Sequence, residues 1–356
     1  MGVSDAEFEA WIGNRRAERL VLVEIDHFLG TVLLASDDWI SDAADGYRPY
    51  DGNLVAPLVL EEDLEDFAGG VGDVTALNTD PAVHWPDLAV RGHEARWLVG
   101  DRAWARADFR PIATVLSDGV RAVDGRIATF ELSTAGSLFG RRPSGADETR
   151  TGTAQSVIEA LVADVGATAP TFTNVPPARL AWQVSIELTQ STTLGEALER
   201  VVQSVHANVR VRRGGRIDVF VSEALNELEI EEDDIVGRKI EELSVRPARS
   251  RVVLEYGADS SVERTPVLAG GGVYESEVVI PSALVSATDA GALADLEAVR
   301  YGQDRRVREL RLSALAHRLE LGTRVGVTHE DWSGSGIVRA ISREPDSAFS
   351  TVEVIS

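Results

Sequence analysis

Between residues 74 and 139 the chain spells out a succession of short strands separated by turn residues, and no other stretch limits the available folds as much. Asn78-Thr79-Asp80 gives the first turn signal, followed by Trp85. Arg91-Gly92 introduces a strand that Gly100-Asp101 ends. Phe109 to Ile112 starts another, and Asp124-Gly125 turns into the last, IATFELS. Asn, Asp and Gly tolerate the backbone angles of tight turns. Many short strands without a long helix between them must bury their apolar faces in a barrel or sandwich.

The period-two pattern begins earlier. LVLVEID (20–26) and TVLLAS (31–36) flank His27-Phe28-Leu29-Gly30, a loop of hairpin length. Gly46, Pro49 and Asp51-Gly52 mark a polar loop ahead of LVAPLVL (54–60), read as a strand. Upstream, residues 4–18 predict a short helix. Ser4 is placed to cap it, Asp5, Glu7 and Glu9 lie near its positive end, and Arg15, Arg16 and Arg19 near its negative end. Phe8, Trp11 and Ile12 share one face, which must dock on this chain or on a neighbour.

From residue 140 the pattern changes. GRRPSGADETRTGT (140–153) reads as a linker. Gln155 to Val165 has helical spacing, and RLAWQVSIEL (179–188) is strand-like. Thr193-Leu194-Gly195-Glu196 is a capping box that opens a helix with Leu194, Leu198, Val201, Val202 and Val205 on one stripe. Gly214-Gly215 lies between two alternating strands, a hairpin signal. The acidic NELEIEEDDIVGRKIEELSV (226–245) bridges to strands at 251–257 and 273–280. A helix follows over 289–301 with Thr288 as its cap, then alternating strands from 307 onward. The expected division is an N-terminal helix (1–19), a first β-barrel domain (20–139), an α+β insertion domain (140–225) and a second β-barrel domain with one helix (226–356). The fold class is mainly β with an α+β insertion, and the two β regions share no residue-level repeat.

Composition narrows the function. The chain has no cysteine, which excludes disulfides, thiolate metal sites and a Cys nucleophile. Acidic residues outnumber basic ones by 58 to 35, a net charge of −23. That argues against wrapping nucleic acid, which needs a basic face. It suits plain solubility, or a surface that DNA slides past without adhering. No apolar run approaches the ~20 residues of a membrane helix, and the N-terminus lacks the apolar core of a signal peptide.

These features together resemble a family, the baseplate or tail hub proteins of long-tailed phages and phage-like particles. The resemblance covers about residues 20–356. It rests on the block from Asn78 through Trp85, Arg91-Gly92 and Gly100-Asp101 to Asp108-Phe109-Arg110, on the helix-to-hairpin insertion (193–221), and on the terminal LELGTRVGVTHEDWSGSGIVRAISREPDSAFSTVEVIS (319–356). It implies two tube-protein-like β-barrels per chain and a small helix-hairpin domain. It further implies a homotrimer, whose six barrels make a ring matching the six-fold tail tube. Such a protein is a structural virion component at the tail tip. It joins the tube to the three-fold tip, lines the DNA channel and serves genome ejection. The implied partners are other copies of the chain, the distal tail or tube protein, a tail-tip, fibre or receptor-binding protein, and a tape-measure protein. Sequence-specific nucleic acid and membrane insertion are not implied. The N-terminal helix, the 37–52 loop and the 226–245 segment are the expected interface elements. Two alternatives stand beside this reading: a hexameric distal tail ring with one barrel per chain, and a carbohydrate-binding module of a tail tip or secreted enzyme.

Catalytic, cofactor and metal residues are expected to be absent. His27, His84, His93, His206, His317 and His329 are scattered, with no H-E-x-x-H. His329-Glu330-Asp331 reads as a turn rather than a metal site. Glu61-Glu62-Asp63 and Glu231-Glu232-Asp233-Asp234 offer hard oxygens for Ca²⁺ but lack the spacing and Gly of an EF-hand. A solvated face, or arginine partners across a subunit boundary, is the favoured reading of both. The loop Asp37-Asp38, Asp42, Asp45-Gly46 is the best remaining cation candidate. Gly270-Gly271-Gly272 lacks the Lys-Ser/Thr of a phosphate loop, and no G-x-S-x-G occurs. Trp39, Trp85, Trp97, Trp104, Trp182 and Trp332 read as core or interface rather than a sugar-stacking platform.

Overall fold

The computed structural model describes the chain except for residues 1, 15, 56–58, 66, 68–69, 79–88, 124–125, 144–146, 223–226, 269–275, 314–317 and 345–348. It is mainly β, with a curled half-barrel sheet. The turns expected around Thr79-Asp80, Trp85, Asp124-Gly125 and Gly270 to Gly272 fall outside the described residues.

The first unit begins with helix α1 (Asp5–Gly13) and runs through β1 (Leu20–His27), β2 (Gly30–Ala35), β3 (Trp39–Ile40), β4 (Pro49–Tyr50), β5 (Leu60–Asp63), β6 (Gly70–Leu77), β7 (Glu94–Gly100), β8 (Arg110–Val123) and β9 (Ile127–Ser133). Six of these strands form one sheet in the order β2-β1-β7-β8-β9-β6. Its two edges are bridged by the segment 51–55. The Ala35 amide donates to the Asp51 carbonyl (2.7 Å) on one side, and the Val55 amide donates to Thr75 (2.8 Å) on the other. The strand expected over 54–60 is therefore split: Leu54 and Val55 close the sheet, and Leu60 opens β5.

β1 is apolar without alternation because both its faces are covered. Val21, Val23 and Ile25 enter the sheet's core with Trp97 and Phe130. Leu20 and Leu22 pack outward beneath Trp39, Tyr50 and Phe109 of the 37–52 loop and its surroundings. The apolar face of α1 docks on the same unit. Ile12 joins its core, the Trp11 indole packs against Trp104 with ring centroids 4.6 Å apart and planes tilted by 50°, and its Nε1 donates to Asp101 at 2.9 Å. The predicted Ser4 cap is present as a full capping box with Glu7.

The middle unit contains β10 (Glu148–Thr153), α2 (Ala154–Asp164), β11 (Thr171–Thr173), α3 (Pro177–Leu180), β12 (Gln183–Leu188), α4 (Leu194–Gln203), β13 (Asn208–Val211) and β14 (Ile217–Phe220). The Thr193–Glu196 capping box forms as the sequence indicates, and Gly214-Gly215 joins the antiparallel β13 and β14. The third unit starts with β15 (Leu228–Glu231) and β16 (Ile235–Arg246). After an excursion through β17 (Arg251–Tyr256), β18 (Ser260–Arg264), β19 (Glu277–Pro281) and α5 (Ala287–Tyr301), it resumes with β20 (Arg305–Leu312), β21 (Arg324–Thr328), β22 (Ser333–Arg343) and β23 (Ser350–Ile355). Its sheet has the order β15-β21-β22-β23-β20-β16.

The excursion departs from the sequence reading, which placed 251–301 in the second β region. Leu254, Ala283, Leu284, Ala290, Leu293 and Ala294 share one core with Val157, Leu161, Leu198 and Val201 of the middle unit. The backbone ties agree: the Ser185 amide donates to Ala283 at 2.7 Å, and Ala283 donates to the Ser204 hydroxyl at 2.8 Å. The helix also begins earlier than 289, because Ser286 and not Thr288 caps it.

One close approach gives a direct test of this packing. A Cβ on Gly136 would run into the backbone carbonyl of Phe67, which cannot rotate away. Gly119 has nothing within 4 Å of its Cβ position. Gly136→Ala is expected to destabilise the protein by about 1–3 kcal/mol, the usual cost of overpacking, in denaturant unfolding. Gly119→Ala is expected to stay within about 0.5 kcal/mol.

Candidate functional site at the junction of the three units

β5 belongs to the first unit by sequence and to the third by hydrogen bonding. It pairs antiparallel with the end of β22, in the register Leu60–Arg343, Glu61–Ser342, Glu62–Ile341 and Asp63–Ala340. The pairing continues one residue further, where the Leu64 amide donates to the Arg339 carbonyl at 2.8 Å. Three apolar side chains of the same short segment enter three different cores. Leu60 is buried with Val21, Val74 and Trp97 of the first unit. Leu64 packs on the core of the third. Phe67 lies in the core of the middle unit, its ring centroid 5.4 Å from that of Phe139.

The polar side of this segment is held by arginine. Arg343 is fully buried and pairs with Glu62, while its second terminal nitrogen donates to the Leu319 carbonyl at 2.9 Å. Leu319 also accepts from Arg213 of the middle unit at 2.7 Å, so one carbonyl gathers cations from two units. Asp63 meets Arg339 at 3.4 Å. Glu65 meets Arg339 at 2.9 Å and Arg246 at 2.5 Å, and Arg339 reaches Glu353 at 2.9 Å. Burial pulls the Arg343 guanidinium down to about 10, which leaves it charged at neutral pH. The hydrogen bond from Arg246 holds the Glu65 carboxyl below its ordinary value, with Arg339 adding to the effect against the opposing cost of burial. Nearby, Arg210 bonds both the buried Asp218 (2.9 Å) and the Leu321 carbonyl (2.5 Å), which seats the 319–322 turn on the β13–β14 hairpin.

A second polar cluster fixes the 37–52 loop. Tyr50 donates to the buried Glu24 at 2.6 Å, and Arg106 and Arg96 pair with the same carboxylate at 2.6 and 3.0 Å. Burial alone would raise the Glu24 pKa, but the Tyr50 and arginine contacts outweigh it and hold it low. Burial and the Glu24 carboxylate push the Tyr50 hydroxyl well above its ordinary value.

The candidate residues singled out in the sequence do not converge on one chemical centre. In Glu61-Glu62-Asp63, Glu62 and Asp63 serve arginines of their own chain at the junction. In the 37–46 loop, Asp37 pairs with Arg102, Asp38 accepts from Gly52 (2.7 Å), Asp42 accepts from Ala44 (2.7 Å) and Arg106 (2.8 Å), and Asp45 meets Arg48 (3.6 Å). In the 231–234 run, Asp234 accepts from the Glu231 amide at 2.9 Å. Among the described residues no group of three or more His, Asp or Glu is placed to share a metal ion. His206 bonds Glu297 at 2.8 Å, joining the turn after α4 to α5. His329 is buried in the β21–β22 turn, where its Nδ1 accepts from the Asp331 amide at 3.1 Å. His27 accepts from the Leu29 amide at 3.2 Å and His93 sits half-buried before β7, while His84 and His317 lie outside the described residues. Trp39 and Trp97 are buried and Trp104, Trp182 and Trp332 half-buried; Trp85 lies outside the described residues.

The three expected interface elements have different fates. The apolar face of α1 is consumed by its own chain. The 37–52 loop presents Ile40 and Tyr47, 65% and 67% exposed. The acidic segment forms β15 and most of β16, the two ends of its sheet's strand order, with Leu243 and Val245 of β16 exposed. The β1–β2 turn, read from the sequence as a hairpin loop and not as an interface element, carries Phe28 and Leu29 at 80% and 83% exposure. A two-residue turn without Gly or Asn at its centre was the available signal.

No protein-family model matches the sequence, and no curated protein matches it. Solved structures do match. A tail protein from Neisseria meningitidis MC58 is 12% identical, with 95% of this chain and 96% of that one aligned at a TM-score of 0.58. The 43 kDa tail protein of prophage MuSo2 from Shewanella oneidensis is 12% identical over 94% and 98% of the two chains, TM-score 0.59. Prophage tail protein gp18 from Listeria monocytogenes EGD-e is 10% identical over 96% and 94%, TM-score 0.59. The resemblance first read from the sequence is therefore present in three dimensions: the chain has the fold of phage tail proteins along nearly its whole length.

The charge pattern of the junction sets its acid response. A carboxyl with a lowered folded-state pKa contributes stability that is complete above its unfolded value, 4.5 for Glu65. That contribution is lost as the pH falls through the lower folded value. Stability from this pair is expected to be flat from pH 7 to about 5 and to decline below 4.5. Glu65→Gln should flatten that part of the decline in pH-dependent denaturant unfolding.

Proposed function

We propose that this protein is a structural component of a phage or phage-like tail, a tail hub that assembles as a trimeric ring. The observation that carries the reading is the match of the architecture, two large β sheets and an α+β unit, to phage tail proteins over at least 94% of this chain. Two β units per chain give six in a trimer, the number a six-fold tube requires, and the other face of the ring keeps three-fold symmetry for a tip. The partners proposed are the distal tail or tube protein on one side and a tail-tip, fibre or receptor-binding protein on the other, with a tape-measure protein in the channel. The net charge of −23 suits a channel wall that DNA passes without adhering. A wall lined mainly by arginine would contradict that part of the reading. The role is non-enzymatic and belongs to the virion tail tip.

The exposed apolar groups support an assembling protein. Phe28 and Leu29 lie at one end of β1 and β2, and the 37–52 loop with Ile40 and Tyr47 lies at the other. Apolar groups this exposed at both ends of one sheet are suited to burial against neighbouring subunits. Light scattering of the purified protein is expected to give three times 38.4 kDa, with a central hole in negative-stain class averages. Ile40→Asp and Leu243→Asp are each expected to leave the fold within about 0.5 kcal/mol while weakening the trimer. A stable hexamer would favour the distal tail ring, and a monomer that binds a glycan array would favour the carbohydrate-binding module.

A further inference from the structure

Among the described residues, β5 is the only strand of the first unit that pairs into the third unit's sheet. β5 covers four residues of β22, from Ala340 to Arg343, beyond the point where β21 stops pairing at Ile337. The arginines Arg343, Arg339 and Arg246 hold it from the protein side. On its open side lies a cleft of about 350 Å³ lined by Glu61, Glu62, Asp63, Glu309 and Glu353. Glu62, Asp63 and Glu353 of that lining are held by Arg343 and Arg339, so the seat rests on ion pairs that border an open cleft. Withdrawing the segment removes one side chain from each of the three cores, Leu60, Leu64 and Phe67, and leaves the remainder of each intact. It also opens the β22 edge to solvent, so that Arg343 is hydrated instead of stranded.

We propose that residues 60–65, together with Phe67, form an ionic latch. Seated on β22, the latch fixes the first and third units relative to one another. Withdrawn, it lets them reorient about the middle unit while each keeps its own core. This holds for the isolated chain and does not depend on the assembly it enters.

Native-state hydrogen exchange of the full-length protein at neutral pH tests the latch. The amides of 60–65 and 340–343 are expected to share one sub-global opening, with protection about tenfold or more below that of β1 and β23. Protection equal to those strands would overturn the latch, since the segment would then leave only on global unfolding. Glu62→Gln is expected to raise exchange at both segments together by about tenfold and to enlarge the radius of gyration in small-angle scattering, with α4, β1 and β23 still protected. The chain has no cysteine of its own, so the facing pair Glu61→Cys and Ser342→Cys, added to Glu62→Gln, supplies a clean cross-strand disulfide. Once formed, it should restore both readings. Loss of protection across all three units, no change at all, or failure of the disulfide to restore the compact form would each sink the proposal.

Discussion

Arg343 has no contact with solvent and sits between a carboxylate from the first unit and a carbonyl of the third that is shared with the middle one. Removing Glu62 from the folded protein strands that charge, at a cost of about 3–5 kcal/mol for a typical buried pair. Replacing both partners by well-packed apolar residues is commonly neutral or stabilising. The pair therefore does more for specificity than for stability. The pattern Leu60-Glu61-Glu62-Asp63 places Leu60 and Glu62 on one face, and a one-residue slip would turn the leucine to solvent and move Glu62 away from Arg343. Charge fixes the register, and the register carries Leu60, Leu64 and Phe67 into their separate cores. The geometry between the two large sheets follows from that choice.

Local signals were legible. Both capping boxes formed where Ser4 and Thr193 indicated, because a cap is a bargain between residues three apart. The hairpin at His27 to Gly30 and the strand onsets after Arg91-Gly92 and Phe109 were equally visible, since turn chemistry acts within four residues. The junction was not. Glu62 and Arg343 are 281 positions apart, and nothing in an acidic tripeptide says whether its partner is water, an ion or a distant arginine. The same holds for α5. Its apolar face was visible, but Leu293 and Ala294 suit either neighbouring core equally, and only the ties from Ser185 and Ser204 to Ala283 decide it. Single-residue caps proved less decisive than boxes: Ser286 and Thr288 both qualify, and the backbone chose the earlier one.

Of the carboxylates singled out in the sequence, Glu62, Asp63 and Asp37 are held by arginines and Asp38 and Asp42 by backbone amides, while the buried Glu24 and Asp218 are shared between two arginines each. A molecule organised this way devotes its polar interior to holding elements in place. The apolar groups left outside lie at the ends of the first sheet and along the edge strand β16, where a neighbouring subunit has access.

The hub proposal requires that two β units in one chain occupy equivalent places in a ring, which a fixed angle between them makes possible. Electron cryomicroscopy of the ring assembled from purified protein tests this most directly. The account predicts three chains per ring, with the first and third units alternating at the same radius around the channel. A ring of six chains, each contributing only one of its sheets to the channel wall, would contradict it.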